Sequence, residues 1–352
     1  MLQSRRSVRS FAAPSTRFQT GITATVQPAA SPGRGRWILP MFAAAFALSL
    51  TALSACNVDD RDLGGDAMSG KPTPKMDPGP GPGPTLPPDY MPPMCKKVDL
   101  LFVIDDSGSM ADNQQSLIRS FPGFVDGIRR KLAGAQDYHI GVVTSDDYYA
   151  NQSGCGKIGN LITKTGGPKS SQKNCGPFSG SSNRRYLTNE DVDLKDRFAC
   201  IAQVGSGGAD DERMARGLLN AISPTTHKTG ACNEGFLRPD SLLVVVLITD
   251  EDDVPDGCDG MTCQSYGSGG TPDDWFAEFK KYRPNTDSVI VMSLLGRRGG
   301  NPCGAVPASR LMRFTNLFGR NAHLGDICDA TYDTFFESAL PLIGSVCGMI
   351  PG

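Results

Sequence analysis

Asp105, Ser107 and Ser109 stand at alternate positions within residues 98–110, which read Val-Asp-Leu-Leu-Phe-Val-Ile-Asp-Asp-Ser-Gly-Ser-Met. One short loop thus offers a carboxylate and two hydroxyls. With no His or Cys among them, these hard oxygens suit Mg²⁺, Ca²⁺ or Mn²⁺ rather than zinc. A second acidic loop, Asp250-Glu251-Asp252-Asp253, follows the apolar run 242–249. An ordinary Asp-Ser-Gly turn is the competing reading of the first loop, and the second carboxylate loop weighs against it.

Both loops must be positioned by the elements before them. Leu100 to Ile104 is too short for a typical helix and reads as a strand buried on both faces, as in parallel sheets covered by helices. Residues 242–249 read the same way, and 138–144 and 288–295 supply two more strands, with a weak one at 185–187. Between them lie segments of helical periodicity. Residues 112–132 place Leu117, Phe121, Phe124, Ile128 and Leu132 on one face, with Pro122 expected to kink or split the helix. Further helices are expected at 194–203, from Asp210 and Asp211 through Ile222, from Pro272 with Thr271 as N-cap, at 309–318 and at 332–347. Buried strands alternating with amphipathic helices predict an α/β fold, a doubly wound, mainly parallel sheet flanked by helices. In such sheets ligands bind beyond the carboxyl ends of the strands, where both acidic loops fall.

Asp105-x-Ser107-x-Ser109 after a buried strand, with Gly108, Met110 and the later Asp250, resembles the metal-ion-dependent adhesion site of von Willebrand factor A domains. The resemblance spans residues 95–345 and implies a Rossmann-like A-domain fold. It also implies one octahedral cation, bound directly by both serines, often through water by the aspartates, and by a threonine from a third loop. Carried over, Asp105, Ser107, Ser109 and Asp250 are the expected ligands, with Mg²⁺ the first choice of ion and Ca²⁺ or Mn²⁺ the alternatives. Two departures stand out: Glu251 replaces the usual Gly, and Ala209 follows Gly207-Gly208 where the threonine belongs. Ser206 or Asp210 could substitute, or water could fill the position. Asp106, Asp252 and Asp253 either retune the site towards Ca²⁺ or are simply solvated. A cation held mostly by neutral hydroxyls keeps much of its charge and can capture a partner's carboxylate. The resemblance therefore implies binding rather than catalysis.

The first 55 residues contain six Arg and no Asp or Glu. Residues 38–55 are apolar apart from Ser and Thr, follow Arg34 and Arg36, and end Leu53-Ser54-Ala55-Cys56. This is the pattern of a secretory signal. Its last four residues resemble a bacterial lipobox, which implies cleavage before Cys56 and acylation of that thiol with palmitate. An uncleaved membrane anchor is the alternative, since 37–55 is nearly long enough to span. Asn57 in place of Asp leans towards the outer membrane. Residues 56–94 are rich in Pro and Gly and read as an extended tether. About 40 residues at roughly 3.1 Å each would hold residues 95–352 on the order of 100 Å from the membrane.

Beyond residue 55 the chain carries 29 basic against 37 acidic residues, which argues against nucleic-acid partners. Ten cysteines follow Cys56, an even number that predicts disulfide-stapled loops in an exported protein without fixing their pairing. A local Cys258–Cys263 bridge is one candidate. There is no Cys-x-x-Cys, and the three histidines are scattered, so zinc is disfavoured. No P-loop and no Gly-x-Ser-x-Gly elbow is present, and Ser107 stands where an aspartyl phosphatase needs its second carboxylate. The expectation is a non-enzymatic cell-envelope lipoprotein that binds a protein or surface ligand through a divalent cation. A structural or interaction domain with a degenerate metal site is the alternative, and a hydrolase a more distant one.

Overall fold

The computed structural model describes residues 96–131, 137–180, 183–209, 211–255, 257–258, 263–264, 266–297 and 303–347. The export segment, Cys56 and the tether lie outside the described residues. In chain order the elements are β1 (Lys97–Ile104), α1 (Ala111–Lys131), β2 (Asp137–Thr144), β3 (Leu187–Thr188), α2 (Leu194–Ala202) and α3 (Met214–Ile222). There follow β4 (Leu242–Ile248), a ribbon of β5 (Gly257–Cys258) and β6 (Cys263–Gln264), α4 (Pro272–Tyr282), β7 (Val289–Leu295), α5 (Ser309–Asn316), β8 (Ala322–Asp326) and α6 (Asp333–Val346).

Six strands form one sheet in the order β3-β2-β1-β4-β7-β8, parallel throughout except for the antiparallel edge strand β3. The continuous apolar runs follow from helices covering both faces. Leu100, Phe102 and Ile104 pack into a core with residues of α1, α2 and α6. Leu101 and Val103 pack into a second core with α3, α4 and α5. Every residue of β4 and β7 is buried. The expected α/β fold, doubly wound and mainly parallel, is therefore present.

Local departures have physical causes. Helix α1 runs unbroken through Pro122. Its halves are each pinned by stacked aromatics, Phe121 on Phe198 and Phe124 on Phe336, which offsets the lost backbone bond. Helix α3 begins at Met214 rather than at Asp210, because its first turn is capped from another loop, as shown below. Strand β8 has no apolar run to announce it. It is held by pairing with β7, and by Gly325, where an added Cβ would lie 2.4 Å from Phe335 and 2.9 Å from Leu294.

The long excursion over 148–185 is stapled rather than built on regular elements. Cys155 bonds to Cys232 and Cys175 to Cys200, while Cys303–Cys328 ties the segment before α5 to the end of β8. Inside the excursion the Asn151 amide donates to Cys155 O and Leu161 O and accepts from Thr163 N. The β5–β6 ribbon sets Cys258 opposite Cys263 in register, but their side chains lie outside the described residues.

Candidate metal centre

The register of the central strands decides where the acids meet. β1 pairs Ile104 with Ile248 of β4 on one side and with Thr144 of β2 on the other. The next residues, Asp105, Thr249 and Ser145, therefore emerge side by side at the carboxyl edge of the sheet. There Asp105 N donates to Ile248 O at 3.0 Å.

The four residues expected as ligands are joined by a chain of contacts. Ser107 N donates to Asp105 Oδ1 at 2.7 Å, and the Ser107 and Ser109 hydroxyls lie 3.5 Å apart. Ser109 Oγ donates to Asp250 Oδ1 at 3.0 Å. Thr249 Oγ donates to Asp105 Oδ2 at 2.7 Å while accepting from Glu251 N at 3.0 Å. Asp105, Ser107 and Asp250 are buried and Ser109 is exposed, so the row reaches from the sheet edge to the surface. Among the described residues, no three His, Cys, Asp or Glu side chains are gathered tightly enough to hold an ion. The serine hydroxyls are therefore integral to any donor set here.

The third loop is drawn against the first by two devices that the sequence reading did not single out. Gln114, fully buried on α1, donates through Nε2 to Asp105 O at 3.1 Å and to Gly205 O at 2.7 Å, and accepts from Gly205 N at 2.9 Å. Gly208 N donates to Asp106 O at 2.7 Å, an approach so close that a Cβ on Gly208 would lie 2.8 Å from Asp106 Cγ. Ala209 is exposed and donates its amide to Asp146 Oδ2. Ser206 is tied through its amide to Pro168 O, and no described contact joins it to the four expected ligands. Asp210 lies outside the described residues.

Glu212, which sequence reasoning passed over, is the acid this loop delivers. It is 1 % exposed, and neither carboxylate oxygen has a hydrogen-bond partner. Burial and the neighbouring Asp105 charge push its carboxyl up to about 10; its side chain lies against Ser145, which opposes the shift, and against the Asp105 carboxylate itself, which adds to it, neither in well-formed hydrogen-bond geometry. Burial and then Asp105 likewise push Asp106 up to about 7, and burial raises Asp105 itself against the bonds it accepts from Ser107 and Thr249. Among the described residues no Lys or Arg forms an ion pair with Asp105, Asp106, Asp250 or Glu212. Buried carboxylates without a counter-charge are costly, and a divalent cation is the group that would satisfy them. The donor set therefore fits a hard cation.

The other acids of this edge are committed elsewhere. Asp253 accepts from Ala215 N, Ser268 N and Ser268 Oγ, capping α3 from the loop after β4. Asp252 accepts from Arg310 N and Leu311 N and caps α5. Asp146 pairs with Arg213 and Asp147 with Lys157. Asp253 is buried and Asp252 half-buried, and both fasten helix ends.

No protein-family model and no curated protein matches this chain. Among solved structures it is similar to proximal thread matrix protein 1 of the mussel byssus, at 16% identity and a TM-score of 0.38 over 71% of this chain and 48% of that one. The same mussel protein with a zinc-occupied MIDAS motif aligns at 15% identity and a TM-score of 0.34, over 71% and 48% of the two chains. The open conformation of the pilus adhesin SpaC from Lactobacillus rhamnosus GG aligns at 12% identity and a TM-score of 0.37, over 71% of this chain and 30% of that one. The chain thus spans less than half the length of these neighbours. At such scores the likeness adds nothing to what the strand order and register already establish. No helix among the described residues is long and apolar enough to cross a membrane.

Proposed function

We propose that this is an A-domain-type binding protein of the bacterial cell envelope that engages its ligand through a divalent cation at the carboxyl edge of the sheet. The observation that carries this reading is the row Asp105–Ser107–Ser109–Asp250, which leads from fully buried acid to exposed hydroxyl. Asp105, Ser107, Ser109 and Asp250 would hold the ion, Mg²⁺ by first expectation and Ca²⁺ or Mn²⁺ by the same chemistry. The ion supplies a positive centre that a partner's carboxylate can ligate. Ser109 at the surface keeps the approach open, and Thr249 and the Ser107 amide hold the Asp105 carboxylate in one orientation. The row holds no histidine to relay a proton from its hydroxyls, and binding is the chemistry that it supports best. Residues 1–55 would direct export, Cys56 would carry the lipid anchor, and 56–94 would hold the domain away from the outer membrane.

A degenerate site is the second reading, favoured by Ala209, which brings no side-chain oxygen to the third loop. The two separate by experiment. Capture of ligand from envelope extract by the immobilised protein should be lost in chelator and lost in Asp105→Ala; capture indifferent to both would overturn the cation reading. Palmitate labelling in the cell should vanish with Cys56→Ser, and an unlabelled wild type would remove the anchor.

A further inference from the structure

We infer that Glu212 supplies the third loop's ligand to the cation held at Asp105, in place of the hydroxyl that Ala209 lacks. The inference rests on the cation reading above and deepens it: among the described residues no three acidic side chains are gathered tightly enough to hold an ion by themselves, so the serine hydroxyls stay in the donor set and Glu212 adds a full negative charge beside them.

Four observations lead to it. Glu212 is all but fully buried, yet neither of its oxygens has a donor. A buried carboxylate with nothing to accept is a rare and costly state, and native structures keep such groups where an ion or ligand completes them. Its side chain lies against Ser145 and the Asp105 carboxyl, with Asp106 beyond, so it faces the acidic edge. The loop that carries it is locked at that approach. Gly208 touches Asp106 and Gln114 bridges Asp105 to Gly205, while Glu212 O accepts from Val254 N at 3.2 Å in the loop that bears Asp250. Glu212 is thus fastened through its own carbonyl to the loop that bears Asp250, and the stretch before it is held to the loop that bears Asp105 at Gly205 and Gly208. The other described acid of the third loop, Asp211, is joined by no described contact to Asp105, Ser107, Ser109 or Asp250.

The alternative is a buried acid that merely shares a proton with Asp105. That arrangement would need no cation, and it predicts that removing the charge changes nothing in ion binding. A ligand carboxylate makes the opposite prediction, because affinity for hard cations rises with the number of charged ligands.

Mn²⁺ binding to the purified full-length protein, read from the free-ion electron paramagnetic resonance signal at pH 7.5, decides between them. Glu212→Gln keeps the shape and removes the charge. We expect it to weaken Mn²⁺ binding fivefold or more, while the chelated variant melts at or above the wild-type temperature. Glu212→Asp, which keeps the charge on a shorter arm, should lose less. A loss under fivefold in Glu212→Gln, with Asp105→Ala still abolishing binding, overturns the assignment of Glu212 alone. A wild type that binds no Mn²⁺ overturns this assignment and the cation reading together.

Discussion

Ser109 donates its hydroxyl to Asp250 Oδ1 across 3.0 Å, joining two loops whose residues are 141 positions apart in the chain. Ser109 is exposed, so truncating its hydroxyl should hardly affect the frame. If the pair is a ligand pair, Ser109→Ala should weaken Mn²⁺ binding about tenfold, roughly 1.4 kcal/mol, with the chelated melting temperature unchanged. In the wild type, cation at a hundredfold over its dissociation constant should add about 2.7 kcal/mol, a rise of roughly 5–10 °C. Thermal melts with and without chelator check both numbers, and Asp105→Ala should show no rise.

Gln114 touches no expected ligand side chain, yet it bonds to Asp105 O and to both backbone groups of Gly205. Gln114→Leu would strand those buried groups. Each such loss costs about 1–3 kcal/mol, so for three groups urea unfolding should register a destabilisation of at least about 3 kcal/mol. The same variant should loosen the third loop from the first and weaken cation binding with it. Gln114→Glu, similar in shape but without the amide donor, should fail in both respects.

These contacts mark what could be foreseen and what could not. Asp105 and Asp250 are legible because each closely follows a short apolar run bounded by polar turn residues, the pattern of a strand covered on both faces. The in-register pairing of Ile104 with Ile248 then follows from adjacency in the sheet. Strand β8 was not legible, because Ala-His-Leu-Gly-Asp carries no pattern and gains its place from β7 and from the space Gly325 leaves for Phe335. Glu212 and Gln114 were missed for a related reason. A polar residue on an otherwise amphipathic stretch reads as solvated, and only the tertiary fold shows that it faces inward. The disulfides were countable but not assignable, since their pairing joins segments up to 77 residues apart.

Burial holds Glu212 protonated up to about 10, where the unfolded chain ionises near 4.5. A group whose folded pKa is raised contributes stability below its unfolded value and loses it as pH rises towards the folded one. Half-buried His139, His227 and His323 act oppositely at low pH, but they are neutral in both states above pH 7. In chelator, stability should therefore fall between about pH 7 and pH 9, by on the order of 1 kcal/mol per pH unit. Glu212→Gln should flatten that slope. Saturating cation should flatten it as well, because the ion favours the charged carboxylate.

Asp253 provides the sharpest contrast with Asp105, since both are fully buried aspartates following central strands. The Asp253 carboxylate accepts from Ala215 N and from both the amide and hydroxyl of Ser268, so it fastens α3 to the loop ahead of α4. Ser268 in turn accepts from Arg216 N, and Arg216 reaches Glu278 on α4. Asp253→Ala removes a helix cap and leaves buried donors unmet, a loss of roughly 2–4 kcal/mol in denaturant unfolding. Its cation-induced rise in melting temperature should survive, because none of its partners belongs to the ion's donor set. Asp105→Ala should do the reverse: it relieves a crowded, buried acid, so the chelated protein should unfold at about the wild-type denaturant concentration, yet it should no longer respond to cation. If Asp253→Ala abolished the cation response while folding normally, the ion would have to sit beneath α3 and not between Asp105 and Asp250.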